Sequence, residues 1–239
     1  MILDTMTPAE MSRYLEPVRE RISQYAASMA KRVGRKAKKN TWFRVGLKHI
    51  TYQDEVFYFF TRAQHYRKNG FDGFDITCVP YCMITRNDGS RYILQFELCY
   101  PKVLRTYEMH LFKRYQERFL KESLDLWTVI HRFFENNYAP GMISKGKSGY
   151  GTIINDGVVL SNEVLNVMDP IVVYRYKTFI TQQMLYDNQD SWNRDGAYKD
   201  LLEEVLNLFH TGGPEYIQHA DYRLNIDVES IQKNSLPNV

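Results

Sequence analysis

Apolar and polar positions change period several times along the chain, and the changes mark its elements. Val18, Ile22, Tyr25 with Ala26, Met29 and Val33 recur every three to four residues, the stripe of an amphipathic helix. Ahead of it, Thr7-Pro8-Ala9-Glu10 is a capping box with proline at the first helical position, so a helix begins there. Pro17 either interrupts that helix or starts a second one. Val56–Phe60 is apolar throughout, which fits a buried strand and a buried helix alike.

From Phe74 the period drops to two. Phe74, Ile76, Cys78, Cys82 and Ile84 share one strand face, and Asn87-Asp88-Gly89 supplies a tight turn. Arg91–Cys99 returns, with Tyr92, Leu94, Phe96 and Leu98 alternating against Arg91, Gln95 and Glu97. Pro80 inside the first run implies an edge position or a bulge. Helical spacing then resumes over Leu104–Lys121, with Leu111, Phe112, Tyr115 and Phe119 on one side and His110, Arg114, Glu117, Arg118 and Lys121 on the other. Ser123 reads as the N-cap of a second helix, Leu124–Asn136. Tyr138–Gly151 has loop composition. Two strands follow: Thr152–Leu160, broken at Asn155-Asp156-Gly157, and Ile171–Thr181. Thr181 caps a short helix to about Gln189, and Ala197–His210 is a last amphipathic helix.

The fold class expected from this order is α+β, with N-terminal helices and a mostly antiparallel sheet carrying helices on one face. The chain divides into an N-terminal helical segment with a basic end (1–40), an α+β core (41–213) and a C-terminal arm (214–239). Composition adds that a packed core is well supplied, since 44% of the 239 residues are apolar and 14% aromatic. Three cysteines, Cys78, Cys82 and Cys99, are an odd number, which points to free thiols in a reducing, cytoplasmic setting. No run is long enough for a membrane span, so a membrane partner is not expected.

A net charge of +3 does not by itself call for nucleic acid, but its distribution is uneven. Lys31, Arg32, Arg35, Lys36, Lys38 and Lys39 cluster at the end of the first helix, with Trp42 and Phe43 beyond them. That is a phosphate-binding patch with stacking rings, or cations gathered at a helix C-terminus by the dipole. The cysteines and His110 do not fall into zinc-ligand spacing, and no phosphate-loop, dinucleotide or nucleophile-elbow motif is present, so no cofactor is expected. What remains is His110, Arg114 and Arg118, four residues apart on one stripe. A histidine can take a 2′-hydroxyl proton while two guanidiniums hold the charge gathering on the phosphate. A solvated helix face, with Glu117 paired to Lys113 or Lys121, accounts for the same residues.

The segments MHLFKRYQER and YRYKTFIT, with a second helix and strands between, resemble the layout of the small RelE- and colicin-like ribonuclease toxins, in particular relatives carried on bacterial mobile elements. The resemblance covers about Tyr107–Thr181, and the chain is far longer than such toxins. It implies that His110, Arg114, Arg118, Lys177 and Thr178 line a metal-independent endoribonuclease site, or one that binds RNA without cleaving it. The rival expectation is a non-enzymatic protein that engages another macromolecule through an aromatic surface and a basic helix.

Overall fold

A computed structural model describes residues 2, 5–34, 42–68, 71–99, 103–137, 143–146, 149–161, 163–166, 171–181 and 184. The capping box forms as expected: Thr7 N–H donates to Glu10 Oε2 (2.8 Å) and Glu10 N–H to Thr7 Oγ1 (3.3 Å). From it a single helix, α1, runs Pro8–Gly34 straight through Pro17. An interior proline costs a helix about 3 kcal/mol or more. Leu15, Val18 and Ile22, all fully buried on either side of it, hold the helix to the sheet and offset that cost. The expected break at Pro17, and with it a second N-terminal helix, does not occur. Toward its end α1 packs through Ala26, Ala27 and Ala30, with Tyr25 exposed.

Five strands follow in a meander: β1 (Trp42–Tyr52), β2 (Glu55–Lys68), β3 (Phe71–Thr85), β4 (Arg91–Phe96) and β5 (Val103–Glu108). Val56–Phe60 is therefore strand. The β1–β2 turn uses Gln53 and Asp54 at positive φ (47° and 67°), a pair with little resemblance to the Asn-Gly that usually announces such a turn. The β3–β4 hairpin closes where Gly89 permits φ 81°, with Gly89 N–H on the Arg86 carbonyl (2.9 Å). Pro80 lies one residue beyond the last β3–β4 pair, Tyr81 with Gln95, where β3 keeps only β2 as neighbour. That is the edge-like position a strand proline needs.

Helices α2 (Met109–Tyr115) and α3 (Leu126–Asn136) come next, joined by a π-helical turn at Gln116–Leu120. The N-cap of α3 is Asp125, which accepts from Thr128 N–H (3.0 Å), rather than Ser123. Strands β6 (Ile143–Gly146), β7 (Gly149–Ile154), β8 (Gly157–Ser161), β9 (Glu163–Asn166), β10 (Val172–Tyr176) and β11 (Thr178–Thr181) complete the described chain. The stretch read as a loop over Tyr138–Gly151 thus contains β6 and the start of β7.

These strands form two sheets. The larger has the order β1-β2-β3-β4-β5-β10-β9, antiparallel except where β10 runs parallel to β5; the smaller is β11-β8-β7-β6. The stretch read as one strand, Ile171–Thr181, is split between them. It leaves the large sheet after Tyr176 and enters the small one at Thr178, with Lys177 N–H donating to the Leu160 carbonyl (2.9 Å). Tyr176 also meets Thr152 of β7, hydroxyl to hydroxyl at 2.6 Å, so the sheets are tied through their side chains as well.

The class is α+β, but helices cover both faces of the large sheet instead of one. Adjacent residues show it: Cys82 and Leu94 pack under α1, whereas Tyr81 and Ile93 pack under α2 and α3. Ile93 and Gln95, placed on the polar side by simple alternation, are consequently buried. No helix among the described residues is long and apolar enough to cross a membrane. The expected helices to Gln189 and over Ala197–His210, and the arm 214–239, lie outside the described residues. Within them, Thr181 Oγ1 accepts from Met184 N–H (3.2 Å), as a cap would.

Candidate functional site

Leu104–Glu108 belongs to β5, so the expected long helix begins only at Met109. Tertiary pairing decides this. Leu104 to Tyr107 are bonded between β4 and β10, and a ladder on both sides outweighs the helical period of the side chains. At the junction, Glu108 occupies the N-cap position of α2 in extended conformation. Arg86 Nη1 and Nη2 bind its two oxygens (3.0 and 2.6 Å), and Arg175 Nε donates to Oε1 (2.7 Å). Burial pushes the Glu108 carboxyl up, and the two arginines outweigh it, leaving its pKa below the ordinary value. One carboxylate therefore locks the β3–β4 turn, β5 and β10 to the start of α2.

On α2, Leu111, Phe112 and Tyr115 are fully buried, as their spacing implied, and His110 is exposed. The π-turn then changes the phase of the helix. Lys121 N–H bonds Gln116 O (2.8 Å) across a wider turn, so each residue advances less around the axis than in an α-helix. Phe119, expected inside, is 38% exposed. Arg118 turns against β11, where its Nη1 donates to the carbonyl of Phe179 (2.6 Å). The next residue back along the chain is Thr178, preceded by Lys177 at the crossing between the sheets.

Through Arg118 the structure sets the helix of the first segment against β11 of the second. Arg114 Nε donates to His110 Nε2 (3.2 Å) and its Nη1 to Glu117 Oε2 (3.1 Å). Burial lowers the Arg118 pKa, and the neighbouring Arg114 charge lowers it further, against the pull of Glu117. The Glu117 partner is Arg114 rather than a lysine. Of the basic cluster, only Lys31 and Arg32 are among the described residues, and they are not part of this site. Lys31 and Arg32 lie at the end of α1, on the opposite face of the large sheet; Arg35, Lys36, Lys38 and Lys39 lie outside the described residues. Phe43 beyond them packs against the alanines of α1.

Two features had no reading in the sequence. Tyr115 donates its hydroxyl to Asp156 Oδ2 (2.6 Å), a residue legible only as part of a turn. Asn137 Nδ2 reaches the same oxygen (3.1 Å), and Asp156 N–H donates to Asn137 Oδ1 (3.0 Å), so α2, α3 and the β7–β8 turn are joined in one network. Gly157 follows at φ 154°, packed so tightly on β11 that a Cβ there would stand 2.2 Å from the Ile180 carbonyl. The first ties the β7–β8 turn to α2 and α3, and the second seats that turn on β11.

A cavity of about 190 Å³ lies on the α1 face of the large sheet, floored by Leu94, Leu104 and Val173 with Arg86 and Arg175 among its walls, away from His110. All three cysteines are free, and burial raises the Cys82 thiol well above its usual pKa. Among the described residues no three His, Cys, Asp or Glu side chains gather as metal ligands would. No protein-family model matches the chain, and no curated protein or solved structure matches it either.

Proposed function

We propose that this chain is an RNA-directed protein that holds a phosphodiester at the His110–Arg114–Arg118 face, beside Lys177 and Thr178, and binds it without cleaving. The observation that carries the reading is the bond from Arg118 to the Phe179 carbonyl. It seats the last strand of the small sheet against the histidine–arginine helix, so that residues some sixty positions apart flank one patch. The order of elements also supports it: α2 and α3 precede a run of strands that ends in β11, and the ribonuclease-toxin layout the sequence resembles likewise has a second helix and then strands.

Binding is favoured over cleavage by the state of His110. A general base needs a free lone pair facing its proton, and Nε2 of His110 accepts from Arg114 instead. Cleavage would require a phosphate to draw Arg114 away. The test is fluorescence anisotropy with labelled RNA across a salt series, beside an EDTA-containing cleavage assay. Arg114→Ala and Arg118→Ala should each weaken binding and each lower the salt slope by about one unit. Undetectable binding at low salt, or slopes unchanged in both variants, refutes the reading. Cleavage that falls about 10²–10⁴-fold in His110→Ala would make the site catalytic after all.

A further inference from the structure

The patch carries a feature that phosphate binding does not use. Phe119 is one of four large apolar side chains exposed at the surface among the described residues, and it is held still. Its ring lies nearly parallel to Tyr115 (15°, centroids 5.3 Å) and edge-on to Phe179 (82°, 6.3 Å). Tyr115 behind it is fully buried and anchored through its hydroxyl on Asp156. Two contacts therefore fix the ring while leaving more than a third of its surface in water.

The ring is also in register with the charges. Arg118 binds the carbonyl of Phe179, and Phe119 touches the ring of that same residue. Arg114 stands close enough to Arg118 to disfavour its charge, a crowding that an anion between them relieves. A fixed aromatic surface beside two crowded guanidiniums is what an unpaired nucleotide requires, because every base has a π-face and every linkage a negative charge. A duplex keeps its base faces stacked inside and offers only the charge.

Resting on the RNA reading above, we propose that Phe119 is a base-stacking platform and that the ligand is single-stranded RNA, one unpaired base lying on Phe119 while the adjoining phosphate sits at Arg114 and Arg118. The π-turn is what makes this arrangement, by rotating Phe119 outward as it turns Arg118 onto β11.

The experiment measures anisotropy of a labelled single strand of about 10 nucleotides, and of its duplex, with wild type, Phe119→Leu and Phe119→Trp. Leucine keeps an apolar side chain against Tyr115 but removes the π-face. It should weaken single-strand binding about 5- to 150-fold, the loss of one stacked base, and leave duplex binding and the salt slope unchanged. Tryptophan should retain the affinity, and its emission should be quenched by the single strand and not by the duplex. Equal affinity of wild type and Phe119→Leu for the single strand, wild-type preference for the duplex, or an unquenched Phe119→Trp overturns the inference and leaves phosphate binding standing. Wild type that binds no RNA at low salt removes both.

Discussion

Replacing Glu108 by Gln tests the joint on which the site helix is built. Glu108 has 18% of its side chain exposed, Arg86 19% and Arg175 35%. Removing one partner from a fully buried ion pair costs about 3–5 kcal/mol, because the other charge is left without compensation. Here solvent reaches all three groups, and Gln keeps one acceptor oxygen for Arg86. The expected loss is therefore about 2–3 kcal/mol at neutral pH. The sign with pH follows from the lowered pKa. The unfolded carboxyl titrates at about 4.3, so the stabilisation is complete above that value and drains away as pH falls through the lower, folded pKa. Urea unfolding at pH 7 and across the acid range measures both. The midpoint should fall with an unchanged m-value, and Glu108→Gln should lack part of the acid-side decline of wild type. A loss under about 0.5 kcal/mol, or an identical acid limb, would refute the claim that this carboxylate holds the junction.

Three further outcomes follow from the same geometry. Tyr115→Phe removes a hydrogen bond to a carboxylate that still has Asn137, so it should cost about 1.5–2 kcal/mol by urea unfolding, and Asp156→Asn in the same background should add little. Gly157→Ala puts a methyl group into the Ile180 carbonyl and should destabilise by about 3 kcal/mol or more, with RNA affinity falling even where the variant folds, because β11 is displaced from Arg118. His131 Nδ1 lies 2.7 Å from the Tyr81 hydroxyl, within hydrogen-bond distance, and burial lowers the His131 pKa against the opposing pull of Asp125. Stability should then decline as pH falls below about 6.5, where the unfolded histidine takes up its proton, and His131→Gln should flatten that decline in thermal melts.

What could be read from the sequence was whatever depended on near neighbours. The capping box at Thr7–Glu10, the Asn87–Gly89 turn, the buried side of α2 and the edge-like setting of Pro80 each need only a few adjacent residues. The failures share a different cause. Leu104–Glu108 has helical spacing, yet β4 bonds all of it and β10 bonds Leu104 to Tyr107 from the other side. Pro17 should break α1, yet Leu15 and Val18 bury against the sheet around it. Phe119 was placed inside because a constant 3.6-residue period was carried through Gln116–Leu120, where the turn widens. At the site, His110, Arg114 and Arg118 on one stretch and Lys177 with Thr178 on another were visible only as two separate segments. Their meeting through the Phe179 carbonyl, the lock at Glu108 and the Tyr115–Asp156 anchor depend on partners 61, 67 and 41 positions away, for which local pattern has no signal.

The parallel pairing of β10 with β5 also sets the order in which the molecule can assemble. Strands β1 to β5 are neighbours both in the sheet and in the sequence, so each pairing closes only a short stretch of chain at little entropic cost. Thr106 and Tyr174, by contrast, are 68 positions apart, and bringing them together is slow for the reason that long-range strand pairings generally are. Because β11 begins two residues after β10 ends, the event that completes the large sheet also delivers Thr178 and Phe179 to Arg118. A chain emerging from the ribosome thus has the residues of its histidine–arginine helix long before it has the strand that packs against them. The face that carries His110, Arg114 and Arg118 is therefore complete only once synthesis has passed Thr181.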